Sequence, residues 1–191
     1  FSLMGAVRAA SQMVSYEVAM GLSMIALLMM TGTLSLREIS AQQAGMNWNV
    51  FYQPLSFLIF LICAFAELNR TPFDLAEAES ELVAVYGVEF SAVGFAYFFI
   101  AEYGSIILYC MLTLSFFFSG TFYSLTSIIQ SPIVLNLFEN LIFGFKIVLI
   151  LIFFCYIRAT YARYRFDQLM KLNWKNLLLI SLGLDLYLGC L

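Results

Sequence analysis

Long apolar stretches decide what this sequence can become. Residues 18–36 and 50–66 carry no charge at all; 90–118 carries only Glu102, 133–157 only Glu139 and Lys146, and 177–191 only Asp185. A helix crosses the hydrocarbon core of a bilayer with about 20 apolar residues, in a range of roughly 17 to 25. Lipid offers the backbone no hydrogen-bond partner, so such stretches must be helical. The sequence therefore predicts an all-α, polytopic membrane bundle of about five transmembrane helices. Pro54 stands in the first turn of the second, where its missing N–H is tolerated. The fifth stretch is short, and its end is expected at the membrane surface. No repeat or soluble segment interrupts the chain, which reads as a single membrane domain over 1–191. Its start at Phe1, in a small-residue stretch, fits the C-terminal portion of a longer or split protein.

Composition excludes several classes of function. Hydrophobic residues make up 63% of the chain and charged ones 11%, far from a water-soluble globule. Nine bases against twelve acids give a net charge of −3, which excludes a nucleic-acid binder. There is no histidine, and the cysteines at 63, 110, 155 and 190 form no CxxC pair, haem pattern or zinc set. This chain is expected to bind no cofactor and to carry no redox centre.

Alternating five spans puts residues 1–17, 67–89 and 158–176 on one side of the membrane. That side collects Arg8, Arg70, Arg158, Arg163, Arg165, Lys171 and Lys175, whereas the other collects Arg37 alone. The positive-inside rule places the richer side in the cytoplasm or a mitochondrial matrix. One loop there, 67–89, holds Glu67, Asp74, Glu77, Glu79, Glu81 and Glu89 against a single base, Arg70. Thr71-Pro72-Phe73-Asp74 reads as a helix start, with Thr71 as cap and Pro72 at the first helical position. A helix from there puts Asp74, Glu77 and Glu81 on one face. The acids are interleaved with Phe73, Leu75, Leu82, Val83, Val85 and Tyr86, more apolar surface than a solvated loop needs. We read a structured acidic loop with short helices, folded back into the protein. The other loop, 158–176, holds five bases, which suit topological anchoring, pairing with the acidic loop, or docking of a peripheral protein.

Glu102 and Lys146 lie inside spans, where an ionisable group costs about 2.5–3.5 kcal/mol on insertion scales and normally faces a bundle interior or a wet path. Two readings follow: a structural Glu102–Lys146 ion pair, or a proton relay extended by Glu17 at the mouth of the first span, with Tyr16, Tyr97 and Tyr103 beside it. Asp185 reads as structural.

Three blocks carry a resemblance: GAVRAASQMVSYEVAMGL (5–22), AELNRTPFDLAEAESELVAVYGVEFSAVGFAYFFIAEY (66–103) and RATYARYRFDQLMKLNWKN (158–176). Together they resemble the quinone-channel subunits of respiratory complex I, the proton-pumping NADH:ubiquinone oxidoreductase, in its bacterial and mitochondrial forms alike. The likeness covers essentially the whole chain, and the RTPFDLAE…ESELV block is highly specific. The family's first spans and the amphipathic helix at its quinone entrance are missing.

The resemblance implies a membrane-arm subunit of an enzyme complex. It would form part of the ubiquinone access channel and couple quinone reduction to proton translocation through a line of buried acids. Carried over by position, that line uses Glu17, Glu67, Asp74, Glu77, Glu79, Glu81, Glu89, Glu102 and Lys146. Arg8, Arg70, Phe99, Tyr103 and Arg158 stand where channel residues are expected. FMN and iron–sulfur clusters would reside in partner subunits. Partners would be the peripheral quinone-site subunits, neighbouring membrane-arm subunits, membrane lipid, and a separate chain if one supplies the first spans. Related energy-converting hydrogenases share the fold, but their loop carries histidines. On the residues alone, a secondary cation/proton antiporter and a structural anchor stay open, although no inverted repeat is evident. Abundant Phe, Tyr, Leu and Ile resemble the product of an AT-rich organelle genome, which favours the mitochondrial inner membrane over a bacterial plasma membrane.

Overall fold

The computed structural model describes residues 2–43, 47–73, 92–119 and 132–190, and every regular element among them is helical. Helix α1 runs over Ser2–Thr31, and two short helices follow, α2 over Leu36–Gln42 and α3 over Asn49–Tyr52. Helix α4 covers Pro54–Glu67 with its proline in the expected first-turn position. Helix α5, Ala92–Thr113, passes into a π-helical turn at Leu114–Phe118. Helix α6 covers Pro132–Thr160. A last helical run combines α7 (Phe166–Leu172), a second π-turn (Asn173–Leu177) and α8 (Leu178–Gly189).

Among the described residues, three segments are long and apolar enough to cross a membrane: Gly5–Thr31, Ala96–Phe118 and Leu137–Thr160. The second and fifth expected spans correspond to α4 and α8, shorter helices of 14 and 12 residues. One boundary moves substantially. The first helix begins 16 residues before the apolar run, because the small residues of 5–15 continue the backbone ladder, and Glu17 therefore stands in mid-helix rather than at its mouth. It ends where Gly32 adopts a left-handed φ of 68° and donates its N–H to the Leu28 carbonyl at 2.8 Å, a glycine-type stop.

Contacts fix the directions of the five long segments. Gln12 meets Ala66, and Gln53 meets Ala26, so α1 and α4 are antiparallel. Phe60 packs on Phe116 and Phe117, and Phe57 on Phe117 and Phe118, seating the far end of α5 beside the start of α4. Phe65 stacks on Phe154 at 4.3 Å, which returns α6 to the first end. Asn173 bonds to Ser15, and a side chain at Gly189 would meet Met29, so the last run lies parallel to α1. Segments alternating in this way bring 8–17, 67–73 and 158–173 to one end, as the alternation of apolar runs required.

Polar side chains fasten the helices to one another's backbones. Ser56 Oγ donates to the Ser23 carbonyl at 2.7 Å, and Tyr16 OH to the Leu169 carbonyl at 3.0 Å. Both lie in the interior, where water does not compete. Interhelical bonds of this kind contribute about 0.6 kcal/mol on average, up to about 1.7. Tyr16→Phe is expected to lower stability in detergent by about 1 kcal/mol, read from the midpoint of heat-induced helix loss. An unchanged midpoint would show that the bond to Leu169 adds nothing to the packing of the buried Tyr16 ring, as on Phe73.

Candidate functional site

The end that gathers the loops also gathers the ionisable groups. Glu17 projects from α1, Glu67 closes α4, Arg70 follows three residues later, and Glu102 lies in the eleventh position of α5. Arg70 Nε and Glu102 Oε1 form an ion pair, with the two side chains only 15% and 18% exposed. The guanidinium also lies 5.5 Å from the centre of the Tyr103 ring, half of which is exposed. A planar, permanently charged cation suits both contacts at once.

This pairing removes one of the two readings of these charges, the structural Glu102–Lys146 ion pair. Lys146 donates from Nζ to the Phe118 carbonyl at 2.9 Å and stands 5.6 Å from the centre of the Trp48 ring. Phe118 lies sixteen positions along the helical run from Glu102, roughly 24 Å at 1.5 Å per residue. Glu102 stands midway along α5, whereas the Lys146 ammonium sits at the π-turn beyond its end, so a direct pair is excluded.

The backbone between α4 and the acidic loop is tightly organised. Phe73 N–H donates to the Arg70 carbonyl at 2.7 Å, closing a turn over residues 70–73 that contains a cis Thr71–Pro72 bond. Thr71 therefore does not cap a helix beginning at Pro72. Its hydroxyl instead donates to the Arg158 carbonyl at 3.3 Å, and Tyr164 N–H donates to the Pro72 carbonyl at 3.1 Å. The two charged loops are thus joined through main chain and hydroxyl. Asp74, Glu77, Glu79, Glu81 and Glu89, with the helical face proposed for them, lie outside the described residues.

Glu67 is the last residue of α4, one beyond the apolar run. Burial raises its pKa, and the carboxylate of Glu17 raises it further. Loss of solvation and a like-charged neighbour both favour the protonated acid. Glu67 Oε2, Asn69 Oδ1, Arg70 Nη2, Gln12 Oε1 and Asn173 Oδ1 are all buried with no hydrogen-bond partner among the described residues. Others lie elsewhere in the bundle, on Thr33, Gln53 and Asp185.

Other expected site residues fall around this core. Arg8 lies near the start of α1, partly buried, and the Arg158 side chain is exposed beyond the turn that its carbonyl helps hold. Phe99 is 43% exposed on α5. Tyr16, expected beside a relay, is buried and spends its hydroxyl on Leu169.

Sequence reasoning passed over three neutral amides. Gln12 Nε2 donates to the Ala66 and Phe73 carbonyls at 2.8 and 2.9 Å. At the far end, Gln43 Nε2 donates to the Ser115 and Phe116 carbonyls, its Oε1 accepts from Ser119 N–H, and Asn49 Nδ2 donates to Phe116. These bonds occupy carbonyls of the π-turn, alongside the ammonium of Lys146. A single uncharged amide in or beside an apolar run was the available signal.

Comparison with known proteins identifies the family. A family model described as NADH dehydrogenase matches residues 1–188. An NADH-quinone oxidoreductase subunit of Flavobacterium psychrophilum is 56% identical over 185 residues, covering 95% of this chain and 54% of that protein. Its namesake in Cytophaga hutchinsonii is 47% identical over 178 residues, covering 92% and 52%. NADH-ubiquinone oxidoreductase chain 1 of Cyanidium caldarium is 44% identical over 187 residues, covering 96% and 52%. The chain thus spans about half the length of the curated relatives it matches. With nearly every residue inside the matched range, the chain belongs to the NADH dehydrogenase family.

Proposed function

We propose that this chain is part of a membrane-arm subunit of a proton-translocating NADH:ubiquinone oxidoreductase. In this reading it lines part of the path by which ubiquinone reaches its reduction site, and it passes the electrostatic consequence of that reduction into the membrane. Family membership supports the enzyme, and the partly buried Arg70–Glu102 pair carries the coupling role. That pair joins the segment leading into the acidic loop to a carboxyl midway along a membrane-length helix.

The chemistry follows from the low dielectric. A charge change near residues 67–73 acts on Glu67, already biased towards its protonated form, and on the Arg70 guanidinium. Any shift of the guanidinium towards a newly charged acid weakens its hold on Glu102, and a carboxylate losing its cation takes up a proton. Glu17 stands near enough to Glu67 to feel the change. The chain supplies carboxyls and a counter-ion, while FMN and iron–sulfur clusters belong to partner subunits. Peripheral quinone-site subunits and neighbouring membrane-arm subunits are the partners this reading requires, and ubiquinone is the substrate. The end bearing the two charged loops faces the matrix or cytoplasm by its excess of bases. The mitochondrial inner membrane is proposed on composition, since relatives of both bacterial and mitochondrial type match the chain.

Glu102→Gln tests the reading in vesicles containing the assembled enzyme. Protons moved per NADH oxidised are expected to fall, while NADH oxidation by an artificial acceptor stays unchanged. Full stoichiometry at an unchanged rate would remove Glu102 from the path.

A further inference from the structure

Gln12 is completely buried, and both hydrogens of its carboxamide are spent on backbone carbonyls 54 and 61 residues away. Those carbonyls, Ala66 and Phe73, bracket one short segment. Between them lie Glu67, Asn69 in a left-handed conformation (φ 49°), and Arg70 with its ion pair to Glu102. One side chain therefore holds both ends of the piece of chain that presents the arginine.

We infer that Gln12 is a positioning residue for the coupling proposed above: its carboxamide clamps both ends of segment 66–73 and so sets where Arg70 meets Glu102. The inference rests on that reading for its functional consequence, whereas the clamp itself stands on geometry. Only a group with two hydrogens on one nitrogen, reaching inward from α1, serves both carbonyls at once. The segment has other anchors. The Phe73 ring packs against Tyr16 and Tyr164, and Tyr164 N–H holds the Pro72 carbonyl. Those contacts attach the segment to the protein; Gln12 fixes the separation of its two ends. Leucine at position 12 would fill the space and leave two buried carbonyls unmet, a cost that opening of the segment relieves.

Hydrogen exchange on the detergent-solubilised assembly reads the clamp directly. In Gln12→Leu the amides of Phe73 and Tyr164, bonded to Arg70 and Pro72, are expected to exchange about tenfold faster than in the parent, while those of 18–31 are unchanged. Equal exchange at Phe73 and Tyr164 overturns the clamp. Gln12→Glu is a second variant of nearly the same shape: ionised, it donates to neither carbonyl. Its exchange ratio to the parent at Phe73 is expected to climb as pH rises through the carboxylate range, and a flat ratio also overturns the proposal.

A double-variant comparison reads the consequence. Gln12→Leu is expected to shift the pH profile of quinone reduction as Glu102→Gln does, and to add nothing in the Glu102→Gln background. Additive shifts overturn the route through Arg70 and Glu102. If the parent assembly fails to reduce quinone, the functional reading fails, while the exchange result still decides the clamp.

Discussion

Replacing Arg70 by leucine is expected to destabilise the protein by about 3–5 kcal/mol, the largest effect of any single change at this site. Glu102, only 18% exposed, would lose its guanidinium partner, and a largely shielded carboxylate that loses its cation is costly. Leucine also abandons the Tyr103 ring face. Adding Glu102→Gln to Arg70→Leu removes the negative charge that the guanidinium balanced and is expected to recover most of the loss. The midpoint of heat-induced dissociation of the assembled enzyme, compared across both single variants and the double variant, measures this. Equal midpoints for Arg70→Leu and the parent would mean that the pair is fully hydrated and worth little.

A comparable loss, about 3 kcal/mol, is expected for Gln43→Leu at the opposite end. Gln43 is fully buried and makes three bonds into the π-turn and its flank, to Ser115, Phe116 and Ser119. A π-turn widens the helix by one residue per turn and displaces carbonyls from their regular partners. Without the glutamine, Asn49 and Lys146 remain as donors to this region, each supplying one bond. The variant is expected to let 114–118 relax towards regular helix, which rotates Phe116–Phe118 against α5. The same heat-dissociation midpoint reports the loss, and an unchanged value would show that the packing of Phe57 and Phe60 on Phe116–Phe118 holds the π-turn unaided.

Much of the fold was legible because lipid simplifies the rules. Apolar runs must be helices, their alternation follows from direction, and Pro54 marks a helix start by its missing donor. The concentration of Glu67, Arg70 and Glu102 was legible too, since a charge within or beside an apolar run demands a reason. The partner of Glu102 was not. Both Arg70 and Lys146 were available, and only the folding of 68–73 against α5 decides between them. Thr71-Pro72 misled because threonine and proline serve a helix start and a tight turn equally well. The π-turns left no periodic trace, since five residues are too few to shift a hydrophobic pattern. Gln12, Gln43 and Asn49 were invisible for a related reason: a neutral amide costs too little to stand out in sequence, although it bonds to backbone atoms far along the chain in the fold.

Those amides also bear on how the chain tolerates change. In a bilayer, leucine on one helix gains nothing by leaving lipid for leucine on another, so greasy contact cannot tell one vertical offset from the next. Directional donors can, because a carboxamide seated on a chosen carbonyl finds no equivalent half a turn away. Outward-facing Leu, Ile and Phe are therefore free to drift among themselves, while Gln12, Gln43, Asn49, Gln53 and Asn173 act as the alignment marks of the bundle.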